Sequence, residues 1–397
     1  MNFDFPTSLS IESCEEFLTQ LAKADSVEDI LIPEGTKNIA FGSYAAAIQA
    51  INTWGRCSSS RNVYIKATGA EISERVGELL SRPHKFCLSM LAKNIYVEGG
   101  LEDLRPSVNR SARDVIEQQG KTKFGQQRGG LCWFALVDHS TKGFDRNFYL
   151  HSHDKKPTVR GQLQFRSVIS AMVGKSTNLV GGAEPLNDEE SDYLGRAFYE
   201  LFLNTHEHGS RSVEKDTWLK PGMRVIYTNG VNLSASIVDA RAAASGAMSN
   251  YFSAAIEELP LERRKFIEIS VVDSGLGYEG RWRADQPQIE SETGLSGLDA
   301  EYEIFKKCFT FRQTSSGKSS KGHGLPVVME RLTKLKAFMR VRSGRLSLFR
   351  DFINNPFHSE DLCEFEDWET LERGARTEMA PVSGVAVTFL IPLEMSE

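Results

Sequence analysis

The sequence predicts an α/β protein in two parts: a small α/β domain, then a larger α/β sandwich with a mixed sheet and helices on one face. Three observations point there. Short β-branched runs alternate with helical runs over the first hundred residues. A helical stretch covers residues 188–209, with Tyr193, Leu194, Ala197, Phe198, Leu201 and Phe202 on one stripe. A strong apolar strand, residues 265–272, breaks sharply at Asp273-Ser-Gly-Leu-Gly277.

The elements follow in order. Asp29-Ile-Leu-Ile-Pro33 reads as a strand, residues 44–54 as a helix, and Asn62-Val-Tyr-Ile-Lys-Ala67 as a strand. Residues 71–91 read as one or two helices, and Asn94-Ile-Tyr-Val97 as a short strand. These make the small domain, 1–104. Residues 105–128 are basic and polar, and Gly120 and Gly125-Gln-Gln-Arg-Gly-Gly130 break any pattern, so a linker or exposed loop is expected. Leu131-Cys-Trp-Phe-Ala-Leu-Val137 is a strand, and residues 162–173 a helix, completing a connecting region, 105–184. The third region is 185–397. Within it, residues 210–264 look like an insertion with an Ala/Ser-rich helix over 234–259. Residues 351–381 look like a second, acidic insertion. That run reads as a solvated loop or helix face, or as a surface where a partner docks.

Composition narrows the class. The chain has 397 residues, 40% hydrophobic and 25% charged, which is ordinary globular material. A net charge of −6 gives no general push toward nucleic acid or anionic membranes. The start lacks the basic and apolar regions of a signal peptide, and no apolar run reaches a membrane span. The six cysteines form no Cys-x-x-Cys pair, which suits reduced thiols in the cytoplasm. His151-Ser-His153-Asp154 is a metal corner or a polar loop; with no second cluster, the loop is simpler. Arg331, Lys334, Lys336, Arg340, Arg342, Arg345 and Arg350, interleaved with Phe338 and Phe349, form either a nucleic-acid patch or a solvated outer face.

Three segments carry chemistry. Glu200 and Asn204 are spaced i,i+4, so their side chains share a helix face. A carboxylate beside a carboxamide suits water activation next to magnesium, which prefers a few protein oxygens plus waters and phosphate oxygens. Gly209 falls where a helix cap is expected. Asp273, at a strand end before Gly275 and Gly277, can accept a hydrogen bond from a ligand amine while the glycines let backbone approach closely. Gly322-His-Gly324 feeds a helix over residues 325–338, a ready anion site, with Pro326 in its first turn. Upstream, Thr314-Ser-Ser-Gly-Lys-Ser-Ser-Lys321 suits a flap over phosphates, with Lys318 or Lys321 as charge partner. His206, His208 and His323 lie within these segments as phosphate contacts or as helix-end residues. Two P-loop readings fail. Gly174-Lys175-Ser176 and Gly317-Lys318-Ser319 would need an earlier glycine at Ile169 and Arg312.

Taken together, Glu200…Asn204…Gly209, Asp273-x-Gly275-x-Gly277 and Gly322-x-Gly324-Leu325 resemble the N, G1 and G2 boxes of the GHKL ATPases, the Bergerat-fold group. Ser383-Gly-Val-Ala-Val-Thr388-Phe-Leu-Ile-Pro-Leu393 resembles that fold's closing strand. The resemblance covers roughly residues 185–394. It implies a Bergerat-fold domain that binds ATP and Mg²⁺. Glu200 would be the general base and Asn204 a magnesium ligand. Asp273 would read the adenine amino group, with Gly275 and Gly277 shaping the pocket. Residues 278–321 would form the lid. Lys321, Gly322, His323, Gly324 and Leu325 would lie at the phosphates, and Thr388 near the adenine. The pattern Glu-x-x-x-Asn…His-Gly is similar to the anti-sigma-kinase branch, and no phosphoacceptor-histidine helix is evident. The N-terminal part faintly resembles STAS domains.

The leading expectation is a cytoplasmic ATPase that switches shape with nucleotide toward a protein partner. An anti-sigma-type serine/threonine kinase and a non-hydrolysing nucleotide sensor stay open beside it. Many members of the group form homodimers, and no residue here decides the oligomeric state.

Overall fold

The computed structural model describes residues 3–37, 39–66, 71–121, 124–140, 143–150, 157–178, 186–215, 217–234, 246–258, 263–286, 297–310, 324–358 and 363–393. Two sheets organise it. The first comprises β1 (Phe3–Asp4), β2 (Ile30–Ile32), β3 (Asn62–Ile65) and β4 (Asn94–Val97), parallel and in sequential order. Helices α1 (Ile11–Lys23), α2 (Ser43–Cys57), α3 (Ile72–Leu80) and α4 (Pro83–Leu91) make the crossovers. Sequential parallel order with right-handed crossovers places all four helices on one face. Burial agrees: Ile30, Ile32, Val63, Ile65 and Ile95 are buried, while Tyr64 and Tyr96 pair on the more open face. The alternation of strands and helices expected over these residues is present.

Helix α5 (Arg105–Lys121) follows, where a linker was expected. Its few buried residues, Val108, Ala112 and Gln119, explain why its periodicity is faint. Then come β5 (Gln126–Arg128), β6 (Leu131–Val137), β7 (Tyr149–Leu150), β8 (Thr158–Val159), α6 (Gln162–Thr177) and α7 (Asp188–Asn204). The remaining elements are β9 (Met223–Ser234), α8 (Gly246–Glu258), β10 (Arg263–Asp273), α9 (Gly277–Asp285), α10 (Gly297–Phe309), α11 (Gly324–Lys334), β11 (Phe338–Gly344), β12 (Leu346–Asp351), β13 (Glu366–Asp367) and β14 (Val382–Leu393).

The second sheet has eight strands in the order β13-β12-β11-β14-β10-β9-β6-β5. Every neighbouring pair is antiparallel, so this sheet is not mixed; the parallel strands belong to the other sheet. Strand β6 and helix α6, from the connecting region, belong to this sheet and its helical layer.

Both faces of the large sheet are covered. Phe134, Ile226, Ile269, Val341 and Phe389 point into one core with α6, α7 and α11. Trp133, Tyr227, Phe266, Phe338 and Leu390 point into the other, with α2, α4 and α8. Two-sided burial explains why β6 reads as an unbroken apolar run instead of alternating. Helix α2 can lie close to the sheet because Ala45, Ala46, Ala47 and Ala50 keep it thin, and its residues from Ser43 to Gly55 are buried. Its polar residues then bond backbone: Gln49 Nε2 donates to Arg342 O (3.0 Å), Arg56 Nη2 to Ser274 O (2.8 Å), and Ser383 N to Thr53 Oγ1 (3.0 Å).

The strand part of the basic stripe is not an exposed face, whereas Lys334 and Lys336 are exposed. Arg340, Arg342 and Arg350 are buried, as are Phe338 and Phe349. Glu15 of α1 accepts from Arg342 Nε (2.9 Å) and Nη2 (3.1 Å) and from Arg340 Nη2 (3.2 Å). Burial alone would raise the Glu15 pKa; the Arg342 and Arg340 charges and hydrogen bonds hold it below its usual value. No helix among the described residues is long and apolar enough to cross a membrane.

Candidate functional site

Helix α7 starts with a capping box. Asn187 Oδ1 accepts from Glu190 N (2.9 Å) and Glu190 Oε2 from Asn187 N (3.0 Å). Its apolar stripe, including Leu194, Ala197, Phe198, Leu201 and Phe202, is buried against the sheet, α6 and α11, which leaves Glu200 and Asn204 half-buried on the flank. Helix α11 begins at Gly324 beside Glu200. A Cβ at residue 324 would stand 2.9 Å from Glu200 Oε2, so the glycine and the carboxylate end of Glu200 lie side by side. Leu325 is buried in the helix-side core, so its side chain packs there.

After Asn204 the helix widens into a π turn, Thr205–Gly209. The turn delivers Gly209 against Asp273, so closely that a Cβ on Gly209 would overlap the Asp273 carboxylate. Gly275 packs as tightly on the Gly209 carbonyl, and Gly384 on the Asp273 backbone. Gly384 N donates to Gly275 O (2.8 Å), locking β14 to the Asp-Gly turn. Gly277 adopts a left-handed φ of 75° and starts α9. Three separate segments thus converge on one carboxylate.

Asp273 is 4% exposed. Its Oδ1 accepts from Gly275 N (2.9 Å) and Val385 N (3.3 Å). Burial pushes its pKa up to about 7, against those two hydrogen bonds, which favour the charged form. Beneath it, Arg224 lies at the paired position of β9. Arg224 Nε donates to both Asp138 oxygens (3.0 Å each), its Nη2 to Asp138 Oδ1 (2.8 Å), and its Nη1 to Tyr149 Oη (2.7 Å). Asp138 Oδ2 also accepts from Ser210 Oγ (2.9 Å), just past the π turn. This buried ion pair was missed at the level of sequence. Its signal was a lone arginine inside the apolar run Met223-Arg-Val-Ile-Tyr227, since a charge in a buried strand needs a partner.

The two histidines of α7's end differ. His206 Nδ1 bonds Tyr149 Oη (3.0 Å), and burial, with the Arg224 and Arg211 charges, pushes its pKa down to about 3. It stays neutral and structural. His208 lies 3.8 Å from Glu207. Lys318, Lys321, Gly322 and His323 lie outside the described residues, as do His151, His153 and Asp154. Among the described residues no cluster of three or more His, Cys, Asp or Glu could hold a metal ion. Thr388 is placed differently from Asp273. Strand alternation turns it to the opposite face, where its Oγ1 accepts from Ser270 Oγ (2.8 Å). Val385 and Val387 take the face toward Asp273.

Neither a family model, nor a curated protein, nor a solved structure matches this chain.

Within the expected lid, α9 and α10 are ordered against the sheet. Tyr278 packs on Phe305 and Phe309, and Glu301 accepts from Arg345 N (2.7 Å) and Nε (2.9 Å). In the acidic insertion, Asp367 is buried and organises the loop, its Oδ1 accepting from Glu369 N and Thr370 N (3.0 Å each) and its Oδ2 from Thr377 N (2.9 Å).

Proposed function

We propose that this protein is a GHKL-type ATPase that binds Mg-ATP and switches shape toward a protein partner. One observation carries the reading. Glu200 meets the glycine that opens α11, and nine residues later the same helix end meets the Asp273 carboxylate through Gly209. Residues 200 and 209 are separated along the helix by somewhat less than the roughly 13 Å that nine α-helical residues would span, because the last five form a π turn. That spacing suits a nucleotide lying along the helix, its base at Asp273 and its phosphates at Glu200.

The residues fit such a ligand. Both backbone hydrogen bonds to Asp273 fall on Oδ1, so Oδ2 is the oxygen suited to an adenine amino group. Asn204 offers an oxygen of the kind magnesium takes, together with phosphate oxygens. Magnesium, when bound, supplies charge neutralisation at the phosphates. Gly324, at the N-terminus of α11, presents backbone N–H groups without a side chain in the way. Glu200 accepts a proton from the attacking nucleophile, and its place between the helices fixes that nucleophile's direction.

A protein hydroxyl in place of water would make the same pocket a kinase. The two are separated by incubating γ-labelled ATP with wild type and Glu200→Ala, counting free phosphate and protein-bound label. The ATPase reading predicts free phosphate from wild type, and a loss of about 10²-fold or more in the variant with ATP binding kept. Turnover unchanged in Glu200→Ala refutes the base assignment.

A further inference from the structure

On the face of the large sheet opposite Asp273, helices α3 and α5 and strand β5 enclose an open cavity of about 610 Å³. Its volume lies in the range of small-molecule sites. The floor is apolar, formed by the buried side chains of Val76, Leu80 and Trp133. The polar groups around it are serines, glutamines and two arginines, Arg110 and Arg128; among the described residues no Asp or Glu lines it. Trp133 is 1% exposed, and its indole N–H has no hydrogen-bond acceptor. Buried indole N–H groups ordinarily find one.

Behind the wall, Lys85 is paired with Glu78 (2.6 Å); burial lowers the Lys85 pKa, the Glu78 hydrogen bond and charge oppose that, and the Arg82 and Arg128 charges add to it. Arg128 itself reaches Ser81 Oγ at the rim. An apolar floor beside the guanidinium groups of Arg110 and Arg128, with no carboxylate among the described lining residues, favours an apolar body that carries an anion.

We propose that this cavity binds a small anion, a phosphate or carboxylate carried on a ring-sized apolar body, with Arg110 and Arg128 at the anion and the ring against the apolar floor. Phosphate and carboxylate share this chemistry, so the probes are phenyl phosphate and benzoate, titrated calorimetrically into the full chain, with inorganic phosphate alongside. At least one aromatic probe is expected to bind at millimolar concentration, roughly tenfold more tightly than inorganic phosphate. The double variant Arg110→Ala, Arg128→Ala removes the charge, and Ser111→Trp fills the cavity without touching charge. Each should weaken binding about tenfold or more while the circular dichroism spectrum stays that of wild type. Asp273→Asn should leave binding unchanged, which separates this cavity from the nucleotide site. The inference is overturned if neither aromatic probe binds, if both cavity variants bind as wild type does, or if inorganic phosphate binds as tightly as the aromatic probes.

Discussion

Asp273 is a carboxylate withdrawn from water, held by two backbone N–H groups and raised in pKa to about 7. Its free-solution value is 3.8, so between about pH 4 and pH 7 the folded chain holds a proton that the unfolded chain has released. Folded stability therefore falls as pH rises through that window, and the penalty is complete above pH 7. Asp273→Asn should flatten this slope and be more stable than wild type at pH 8, on the order of a few kcal/mol, as read by urea unfolding at pH 5 and pH 8. A variant with the same slope as wild type would show that Asp273 is not the titrating group. A residue tuned this way, at a strand end between glycines, fits ligand reading better than scaffolding. The acid and its glycines were legible in the sequence because a strong strand stops there. The Arg224–Asp138 pair beneath was not, because its halves lie 86 residues apart. Nor was the direction of Thr388, which depends on the register of β14 and not on residue type.

At the scale of elements, α7 does two jobs. Its apolar stripe docks on the sheet, and its end, opened into a π turn, presents Gly209 to Asp273. Gly209→Ala places a methyl group where the carboxylate stands, so the turn or the Asp-Gly loop must shift. On the nucleotide reading, that variant should lose Mg-ATP affinity by about tenfold or more while keeping its helical signal, measured by titration and circular dichroism. Equal affinity would mean that this contact lies outside the site. Helix α7 and strand β10 were legible because their apolar patterns are long and regular. Helix α5 was not, since three small or polar buried residues make a thin stripe among charges. The basic run over β11 and β12 misled for the opposite reason. Its arginines alternate with apolar residues as an exposed strand would, yet Arg340 and Arg342 find their acceptor in distant Glu15, and Arg350 is capped by the following loop at Asn355, Pro356 and Glu364.

Across the whole molecule, the large sheet lies between two helical layers, and the second layer comes partly from the N-terminal unit. Helix α2 bonds the backbone at Ser274 and at Ser383, on either side of the Asp273 turn, so the N-terminal unit bears on the candidate site directly. Glu15 joins the same two parts through Arg340 and Arg342. Glu15→Ala would strand two buried guanidinium groups, and thermal or urea unfolding should show a loss of about 3–5 kcal/mol. A loss below about 1 kcal/mol would mean that the ion pair is not holding the parts together. That α2 spans the back of the sheet could not be read from its sequence; its alanines signal only that something packs closely.

On the nucleotide reading, Asp273 and Glu200 lie at the two ends of one bound nucleotide. Calorimetric titration of Mg-ATP into wild type, Asp273→Asn and Glu200→Ala tests it most directly. Saturable binding is expected for wild type, binding weakened about tenfold or more for Asp273→Asn, and near wild-type affinity for Glu200→Ala. Wild type that binds no Mg-ATP, or an Asp273→Asn variant that binds it equally well, would contradict the account.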